Sequence, residues 1–278
     1  MRPATIRLSD LTLEGFSRAG DSTWLRVQPP GLALDAGRGA LQLAGARDLF
    51  LSHGHLDHAL GVPFLLSQRT LHRSETTRVY CPGEIAGDLA AFVDAAGRLE
   101  GVRYDYEVVP LAPGDRVPVG RDLAIEAFAV DHVVPSLGYH LIATKHRLAE
   151  QYRGLASAEL AALRARGETI TEPVEERRLS YCGDTGPGIF ERSPEVLASR
   201  VLVVECTFLG RELRAKGALF KHLHIEDLAE REAEIAESVE ALVLIHLSRR
   251  HKPEELTAAV AEKLPRLAGR VHLLLGES

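Results

Sequence analysis

The sequence predicts an α/β fold, an αββα sandwich in which two β-sheets pack face to face and helices cover their outer faces. Short β-type runs separated by Gly and Pro fill the first third of the chain. After them, segments with helical apolar spacing alternate with further β-type runs. A chain of 278 residues can bury a large core, and we treat residues 1–278 as a single domain, although the length alone would also allow two.

The elements follow from local pattern, in chain order. The first predicted strands are Ile6 to Leu13, Thr23 to Val27, Leu32 to Asp35 and Asp48 to Leu51. A strand at Arg78 to Cys81 and a helix at Glu84 to Ala96 come next, then strands at Tyr104 to Leu111, Leu123 to Val130 and Leu137 to Ala143. The second half gives strands at Leu179 to Cys182, Val201 to Cys206, Ala241 to Leu247 and Val271 to Leu275, with helices at Ile225 to Ser238 and Pro253 to Leu264.

Residues 145–178 interrupt this alternation and are predicted to form an inserted arm. The arm contains a charged helix, Ser157 to Arg166, with Gly167 at the position just beyond its C-terminus. It carries seven Lys or Arg residues and six Glu residues, so its charge is nearly balanced. A solvated charged hairpin and a binding element both fit this composition.

Composition excludes several classes of protein. Charged residues make up 26% and hydrophobic residues 45%, which is typical of a folded globular chain. No apolar run is long enough to cross a bilayer and the N-terminus lacks a signal core, which predicts a cytoplasmic protein. The three cysteines are far apart, which favours buried free thiols over disulfides or a CxxC zinc site. A net charge of −6 argues against a generally basic nucleic-acid binder.

The stretch "SHGHLDH", at residues 52–58, concentrates metal-binding side chains directly after a predicted strand. Imidazole and carboxylate groups together suit zinc and similar divalent metals, and a loop can direct several of them at one point. A histidine-rich polar loop without a metal is the alternative. The candidate ligands here are His53, His55, Asp57 and His58.

Three further candidates also lie at predicted strand ends: His132, Asp184 and His246. Taken singly, each of these residues also fits a purely structural role. Either histidine fits a hydrogen-bonded core residue, and Asp184 fits a turn residue beside Gly183. Their common position at strand ends favours one shared metal site.

With these residues in place, the chain resembles the metallo-β-lactamase superfamily, whose signature is HxHxDH followed by a later His, an Asp and a final His. Within it, the sequence resembles the ribonuclease Z family, especially its short, plant-type form, from about Ala33 to the C-terminus. The matching segments are "DAGR" at 35–38, "HVVPSLGY" at 132–139, "TKHRLAEQYRGL" at 144–155, "GETIT" at 167–171, "YCGDT" at 181–185, "VLVVECTFL" at 201–209, "HLHIEDL" at 222–228 and "LIHLSRRH" at 244–251.

The resemblance implies a metallo-β-lactamase fold and two zinc ions per subunit. One ion would be held by His53, His55 and His132, the other by Asp57, His58 and His246, with Asp184 bridging them. Such donors also accept manganese or iron. Asp57 is expected to serve as the general base as well as a ligand.

The resemblance also implies a proton donor for the leaving 3′-oxygen, a histidine paired with a glutamate. The family's motifs place these roles on His222 and Glu205, with His224 as the neighbouring alternative. Glu205 would raise the pKa of its partner. Two positions depart from the family's closing HFSxRY motif: Leu247 stands for Phe and His251 for Tyr.

The resulting hypothesis is an endonuclease that removes the 3′ trailer from precursor tRNA, as a homodimer whose arms contact the tRNA. One rival is a hydrolase of the same fold that acts on a small phosphodiester or another small substrate, which the acidic balance favours. The other is a catalytically silent metal-binding module, against which the complete ligand set and Asp57 argue.

Overall fold

The computed structural model describes residues 2–72 and 75–276, and it contains two seven-stranded mixed sheets. The first sheet comprises β1 (Ala4–Arg7), β2 (Thr12–Arg18), β3 (Ser22–Gln28), β4 (Leu32–Leu34), β5 (Asp48–Phe50), β6 (Thr77–Pro82) and β7 (Tyr106–Leu111), paired in that order. The second comprises β8 (Arg116–Gly120), β9 (Leu123–Ala129), β10 (Leu137–Leu148), β11 (Thr171–Tyr181), β12 (Val201–Glu205), β13 (Ala241–Ile245) and β14 (Val271–Leu273), also neighbours in that order.

Helices cover the outer faces of both sheets, which confirms the predicted αββα sandwich. They are α1 (Leu56–Ala59), α2 (Val62–Leu71), α3 (Ala86–Glu100), α4 (Ser157–Ala165), α5 (Ile189–Arg192), α6 (Arg214–Phe220), α7 (Ile225–Glu230), α8 (Glu232–Ser238) and α9 (Pro253–Lys263). Helices α2 and α3 pack on the first sheet, and α7, α8 and α9 pack on the second. None of the helices in the described ranges has the length and apolar character needed to span a membrane.

The core between the sheets ties them together beside the loops that follow β5. The Phe50 ring stacks on Tyr80, with 4.4 Å between the ring centroids, and meets the edge of Tyr139 from the opposite sheet. The buried Tyr139 hydroxyl donates a hydrogen bond of 2.6 Å to the Leu51 carbonyl. Because buried hydroxyls need a partner and aromatic rings bury large areas, this contact fixes the two sheets in one relative position.

Two elements that were each predicted to be continuous are divided into two in the structure. The run Ile6 to Leu13 is not one strand, since a turn closed by the hydrogen bond from the Leu8 N–H to the Leu11 carbonyl separates β1 from β2. The predicted helix from Ile225 to Ser238 is broken at Arg231 into α7 and α8. In α8 the largely buried Glu232 accepts a hydrogen bond from the Arg266 backbone N–H, a tertiary contact that no local pattern encodes.

The arm is the outer half of a long β-hairpin. Strands β10 and β11 stay paired as far as Leu148 and Thr171, and α4 lies between them at the tip. Gly167 has a φ of +79°, the left-handed backbone expected just beyond a helix end. At the other end of α4, Ala156 is the N-cap and its backbone N–H donates a hydrogen bond to the Glu159 side chain.

Gly61, which follows α1, packs so closely that a methyl group has no room. A Cβ built on Gly61 would lie 2.1 Å from the Gly39 nitrogen and 2.5 Å from the Ala36 carbonyl oxygen, both backbone atoms that cannot rotate away. We therefore expect Gly61→Ala to destabilise the protein by about 1–3 kcal/mol through overpacking, measured as a lower urea midpoint.

Gly87 provides the matched control, since it lies in α3 and a Cβ added there would have no neighbouring atom within 4 Å. Gly87→Ala should keep or slightly raise the midpoint, because alanine is the better helix residue. An unchanged midpoint for Gly61→Ala would contradict the close packing of this turn.

Candidate metal centre

The candidate ligands gather at one edge of the sandwich because the strands that precede them end there. β11, β12 and β13 run parallel in the second sheet, and β9 runs in the same direction with β10 antiparallel between them. The loop after β5 of the first sheet reaches the same edge, where His53 forms a β-bridge with Ser136. Loops from both sheets thus converge, from positions as far apart in the sequence as His53 and His246.

The structure brings all seven predicted ligands into one cluster, which two groups together cover, and Asp184 and His246 form a third group with His222. In each group, one nitrogen or oxygen atom per residue lies within 4.8 Å of all the others. The first group consists of His53, His55, His132 and Asp184, and the second of Asp57, His58 and His246. This His and Asp cluster is able to bind metal.

Asp184 lies between the groups and is almost completely buried. Its Oδ2 is 3.8 Å from His53 Nε2 and 3.2 Å from His246 Nε2, and its Oδ1 is 3.3 Å from His58 Nε2. Burial alone would raise the pKa of Asp184, but attraction to His246 and His58 holds that pKa well below its usual range. The cluster therefore has a charged carboxylate at its centre that is in contact with both groups.

Hydrogen bonds orient the imidazole rings of four of the histidines. Their Nδ1 atoms contact acceptors: His53 contacts Ser52 Oγ at 2.9 Å, His58 contacts Asp35 Oδ2 at 2.7 Å, His132 contacts the Lys221 carbonyl at 3.3 Å and His246 contacts Thr207 Oγ1 at 2.8 Å. With the proton on Nδ1, each ring presents the Nε2 lone pair to the cluster. This is the arrangement that metal-binding histidines adopt.

Buried atoms without hydrogen bonds support the fit to a metal ion. Within residues 2–72 and 75–276, His53 Nε2, His58 Nε2 and Asp184 Oδ1 are buried and form no hydrogen bond. Leaving such atoms unsatisfied costs about 1–3 kcal/mol each. These are three of the seven such side-chain atoms in the described ranges, and a cation bound among the three would remove their share of the cost.

Asp57 is a partly exposed member of the second group. Its Oδ2 accepts a hydrogen bond of 3.0 Å from the Gly20 N–H and lies 3.3 Å from His246 Nε2. Burial would raise the pKa of Asp57, but the contacts with His246 and His58 lower it. The carboxylate is therefore ionised, and no hydrogen bond to its Oδ1 is found in the described part of the chain.

Asp35 is a central residue that the sequence reasoning did not single out. It is fully buried, with a φ of +55°, and accepts hydrogen bonds from the Ser52 N–H and hydroxyl, from His58 Nδ1 and from the Tyr181 hydroxyl. It thereby orients His58 directly and His53 through Ser52. Its position at the end of a strand, within the "DAGR" segment, could have marked it as a site residue. The neighbouring sequence gives no indication, however, that Asp35 bonds to residues far along the chain.

Beside the cluster, His222 and Glu205 form a close pair. His222 Nδ1 lies 2.6 Å from Glu205 Oε1, and Glu205 is fully buried at the end of β12. Its carboxylate also accepts hydrogen bonds from the Thr185 N–H and the Thr207 hydroxyl. Burial would lower the pKa of His222, but attraction to Glu205 and their hydrogen bond raise that pKa to about 9.

The alternative residue, His224, is used in a different way. Its Nδ1 accepts a hydrogen bond from the Glu226 N–H and so caps α7, while its Nε2 lies 3.0 Å from the Gly210 carbonyl. Both nitrogens are engaged and the residue is fully buried. His222, by contrast, has its ring centroid 5.2 Å from the rings of both His132 and His246.

An ion pair between Lys221 and Asp131 fixes the backbone that joins the metal-binding cluster to His222. Lys221 has a φ of +53°, and its Nζ lies 2.8 Å from Asp131 Oδ1. The carbonyl of Lys221 is the acceptor for His132 Nδ1, and the next residue is His222. Asp131 and Lys221 therefore position a candidate ligand and the candidate proton donor together.

The two departures from the family motif have separate places in the structure. Leu247 is fully buried in the core between the second sheet and its helices. His251 Nδ1 lies 3.7 Å from Glu255 of α9. The three cysteines are buried and free, as predicted, and burial raises the pKa of their thiols.

Known proteins resemble this chain in sequence and in fold. The beta-lactamase superfamily domain matches residues 26–247. The chain is 29% identical over 272 residues to tRNase Z TRZ1 of Arabidopsis thaliana, covering 97% of this chain and 96% of that one. It is 31% identical over 228 residues to the ribonuclease Z of Gemmatimonas aurantiaca, covering 73% and 70%.

Among solved structures, the human tRNase Z short form superposes with a TM-score of 0.59 at 17% identity, covering 95% of this chain and 96% of that chain. This likeness supports the fold, and the sequence matches extend it to the family. The chain therefore belongs to the beta-lactamase superfamily and, within it, to the ribonuclease Z family.

Proposed function

We propose that this protein is a dinuclear zinc phosphodiesterase that cuts precursor tRNA and releases its 3′ trailer. The observation that carries the proposal is the His222–Glu205 pair beside a two-part cluster of His and Asp side chains. Cleavage that leaves a 3′-hydroxyl needs a proton for an alkoxide leaving group, and this pair is suited to supply it. The names of the family's members, tRNase Z and ribonuclease Z, support the same substrate.

The ligand assignment follows the two groups. His53, His55 and His132 would hold one ion, and Asp57, His58 and His246 the other, with Asp184 in contact with both groups. When bound, a pair of divalent ions lowers the pKa of water and neutralises charge on the phosphodiester oxygens. Zinc suits the nitrogen-rich donor set, and manganese or iron are the alternatives.

The chain's own residues would perform the proton transfers. The Gly20 N–H fixes one oxygen of Asp57, so the other is available to accept a proton from the attacking water. His222, charged and held by Glu205, donates its Nε2 proton to the departing 3′-oxygen. Lys221 and Asp131 keep this imidazole in place beside the cluster.

The arm is the proposed contact to the body of the tRNA. Three of its cations are paired within the arm: Lys145 with Glu176, Arg153 with Glu150 and Arg166 with Glu168. Arg147 and Arg164 have no carboxylate within 4 Å in the described ranges, which leaves them available to phosphates. This self-pairing favours weak binding by the arm alone, and it is the observation that keeps a small phosphodiester as the second candidate substrate.

A homodimer is part of the same proposal. Leu56 of α1, Leu60 just beyond it and Phe64 of α2 have exposures of 63%, 41% and 41%. Large exposed apolar side chains within one short segment are typical of interaction surfaces. Residues 1–278 are proposed to form a single domain with the arm at 145–178, and a cytoplasmic location stays a prediction from the sequence.

The function is tested with precursor tRNA that carries a 3′ trailer. We expect a single cut that gives tRNA with a 3′-hydroxyl and a trailer with a 5′-phosphate, detected by mapping both ends. Asp57→Ala should bind the precursor without cutting it, because the general base is missing. Rapid hydrolysis of bis(p-nitrophenyl) phosphate with an intact precursor would instead favour the small-substrate hydrolase.

Metal content provides a second prediction. Elemental analysis of the purified protein should give two zinc ions per chain, and Asp184→Ala should lose both, since this carboxylate contacts both groups. Removal by a chelator should lower the Tm, because a metal at about 100 times its Kd stabilises a fold by about 2.7 kcal/mol. A content of one ion per chain, or a Tm that does not change when the chelator is added, would contradict a dinuclear site.

The role of His222 is tested by changing the leaving group. His222→Ala should slow cleavage of a normal precursor by about 10²- to 10⁴-fold, the usual contribution of general acid catalysis. A precursor with sulfur in place of the scissile 3′-oxygen should lose most of this defect, because a thiolate leaves without a proton.

The exposed His72, at the end of α2, gives the control for this experiment. His72→Ala should cleave both precursors at the normal rate. Equal slowing of the oxygen and sulfur substrates by His222→Ala would assign this histidine another role.

A further inference from the structure

A cavity of about 550 Å³ opens next to the proposed proton donor, and we call it the Phe220 cavity. His222, His246, Phe208 and Phe220 are among its lining residues. Asp57, the proposed base, does not line it, although Asp57 Oδ2 lies 3.3 Å from the lining residue His246. The cavity thus adjoins the site at the proposed proton donor.

Phe220 gives this cavity an exposed aromatic surface. It is the last residue of α6 and remains 47% exposed, whereas Phe208 beside it is buried. The Lys216 ammonium, one helical turn earlier, lies 5.8 Å from the centroid of the Phe220 ring. Exposed aromatic rings next to cations are the feature by which proteins stack single-stranded nucleobases.

The rim of the cavity carries positive charge that the chain does not neutralise. Lys216, Arg249 and Arg250 line it, and in the described ranges none has a carboxylate within 4 Å. Burial and the like charge of the nearby Arg249 both lower the pKa of Arg18, against the attraction of Asp21. In a chain with a net charge of −6, this local excess of cations is complementary to phosphate.

The chemistry of cleavage decides which nucleotide fits here. Water attacks phosphorus, the new P–O bond forms as the bond from phosphorus to the 3′-oxygen breaks, and His222 gives its proton to that oxygen. The attacking and leaving oxygens lie on opposite sides of phosphorus. The nucleotide that carries the leaving oxygen is therefore on the His222 side, where the Phe220 cavity lies.

Resting on the proposed function, we propose that the Phe220 cavity binds the last nucleotide retained on the tRNA. Its base stacks on Phe220, and Lys216, Arg249 and Arg250 bind the adjoining phosphate. The cavity then fixes the cutting position by holding the nucleotide on the 5′ side of the scissile bond.

The experiment compares normal precursor tRNA with precursors that lack a base at one position. Removing the base of the last retained nucleotide should lower kcat/KM of the unmodified enzyme roughly tenfold, the order expected for one stacking contact. Phe220→Ala should cause a similar loss with the normal precursor and no further loss with the abasic one. The base of the first trailer nucleotide is bound elsewhere, so the loss of kcat/KM on removing it should add to the loss from Phe220→Ala.

Three variants separate stacking from folding. Phe220→Leu keeps an apolar side chain and should show the full loss, whereas Phe220→Tyr restores an aromatic ring and should recover most of the kcat/KM that Phe220→Ala loses. Leu219→Ala, next to it and 73% exposed, is the matched control and should behave as the unmodified enzyme. The proposal is overturned if the loss from Phe220→Ala adds to the loss from removing the base of the last retained nucleotide. Normal kcat/KM for Phe220→Leu would overturn it as well. Failure of the unmodified enzyme to cut any precursor would instead reject the proposed function itself.

Discussion

The site depends on one buried carboxylate, that of Asp35. It accepts four hydrogen bonds, from Ser52 twice, from His58 and from Tyr181. Tyr181 ends β11 of the second sheet, whereas Ser52 and His58 follow β5 of the first. Burying a carboxyl group is costly unless its oxygens are hydrogen-bonded, and these contacts offset that cost. The same contacts join the two halves of the sandwich and orient His53 and His58. Fold stability and ligand geometry are therefore inseparable at this position.

The imidazole rings are oriented by groups that have little freedom to move. The Nδ1 partners are a backbone carbonyl and short side chains, those of Ser52, Asp35 and Thr207. They hold the Nε2 atoms toward the cluster. Such preorganisation reduces the entropy cost of binding and selects the geometry. The unsatisfied buried atoms are what this arrangement costs in the absence of a cation.

The sequence was sufficient for the fold class and for the cluster, because both depend on strongly local signals. The strands around residues 48–51 and 201–206 are short apolar runs, and "SHGHLDH" places four donors in one loop. What could not be predicted depends on contacts between distant residues. Nothing near Asp35 in the sequence indicates its hydrogen bond to His58, and the helix break at Arg231 lies beside a contact between the distant residues Glu232 and Arg266. The role of His224 likewise became clear only from the cap it makes on α7.

Glu205 serves two neighbours at once, and this restricts how the enzyme can change. One oxygen holds His222, and the other is joined through the Thr207 hydroxyl to His246. Under the proposed roles, a change at this carboxylate would alter the hydrogen bonds of both imidazoles, so the ion affinity of His246 and the acid strength of His222 would change together. A descendant adapting to a different divalent ion would have to readjust both properties together, and the surroundings of Glu205 are where such compensating substitutions should accumulate.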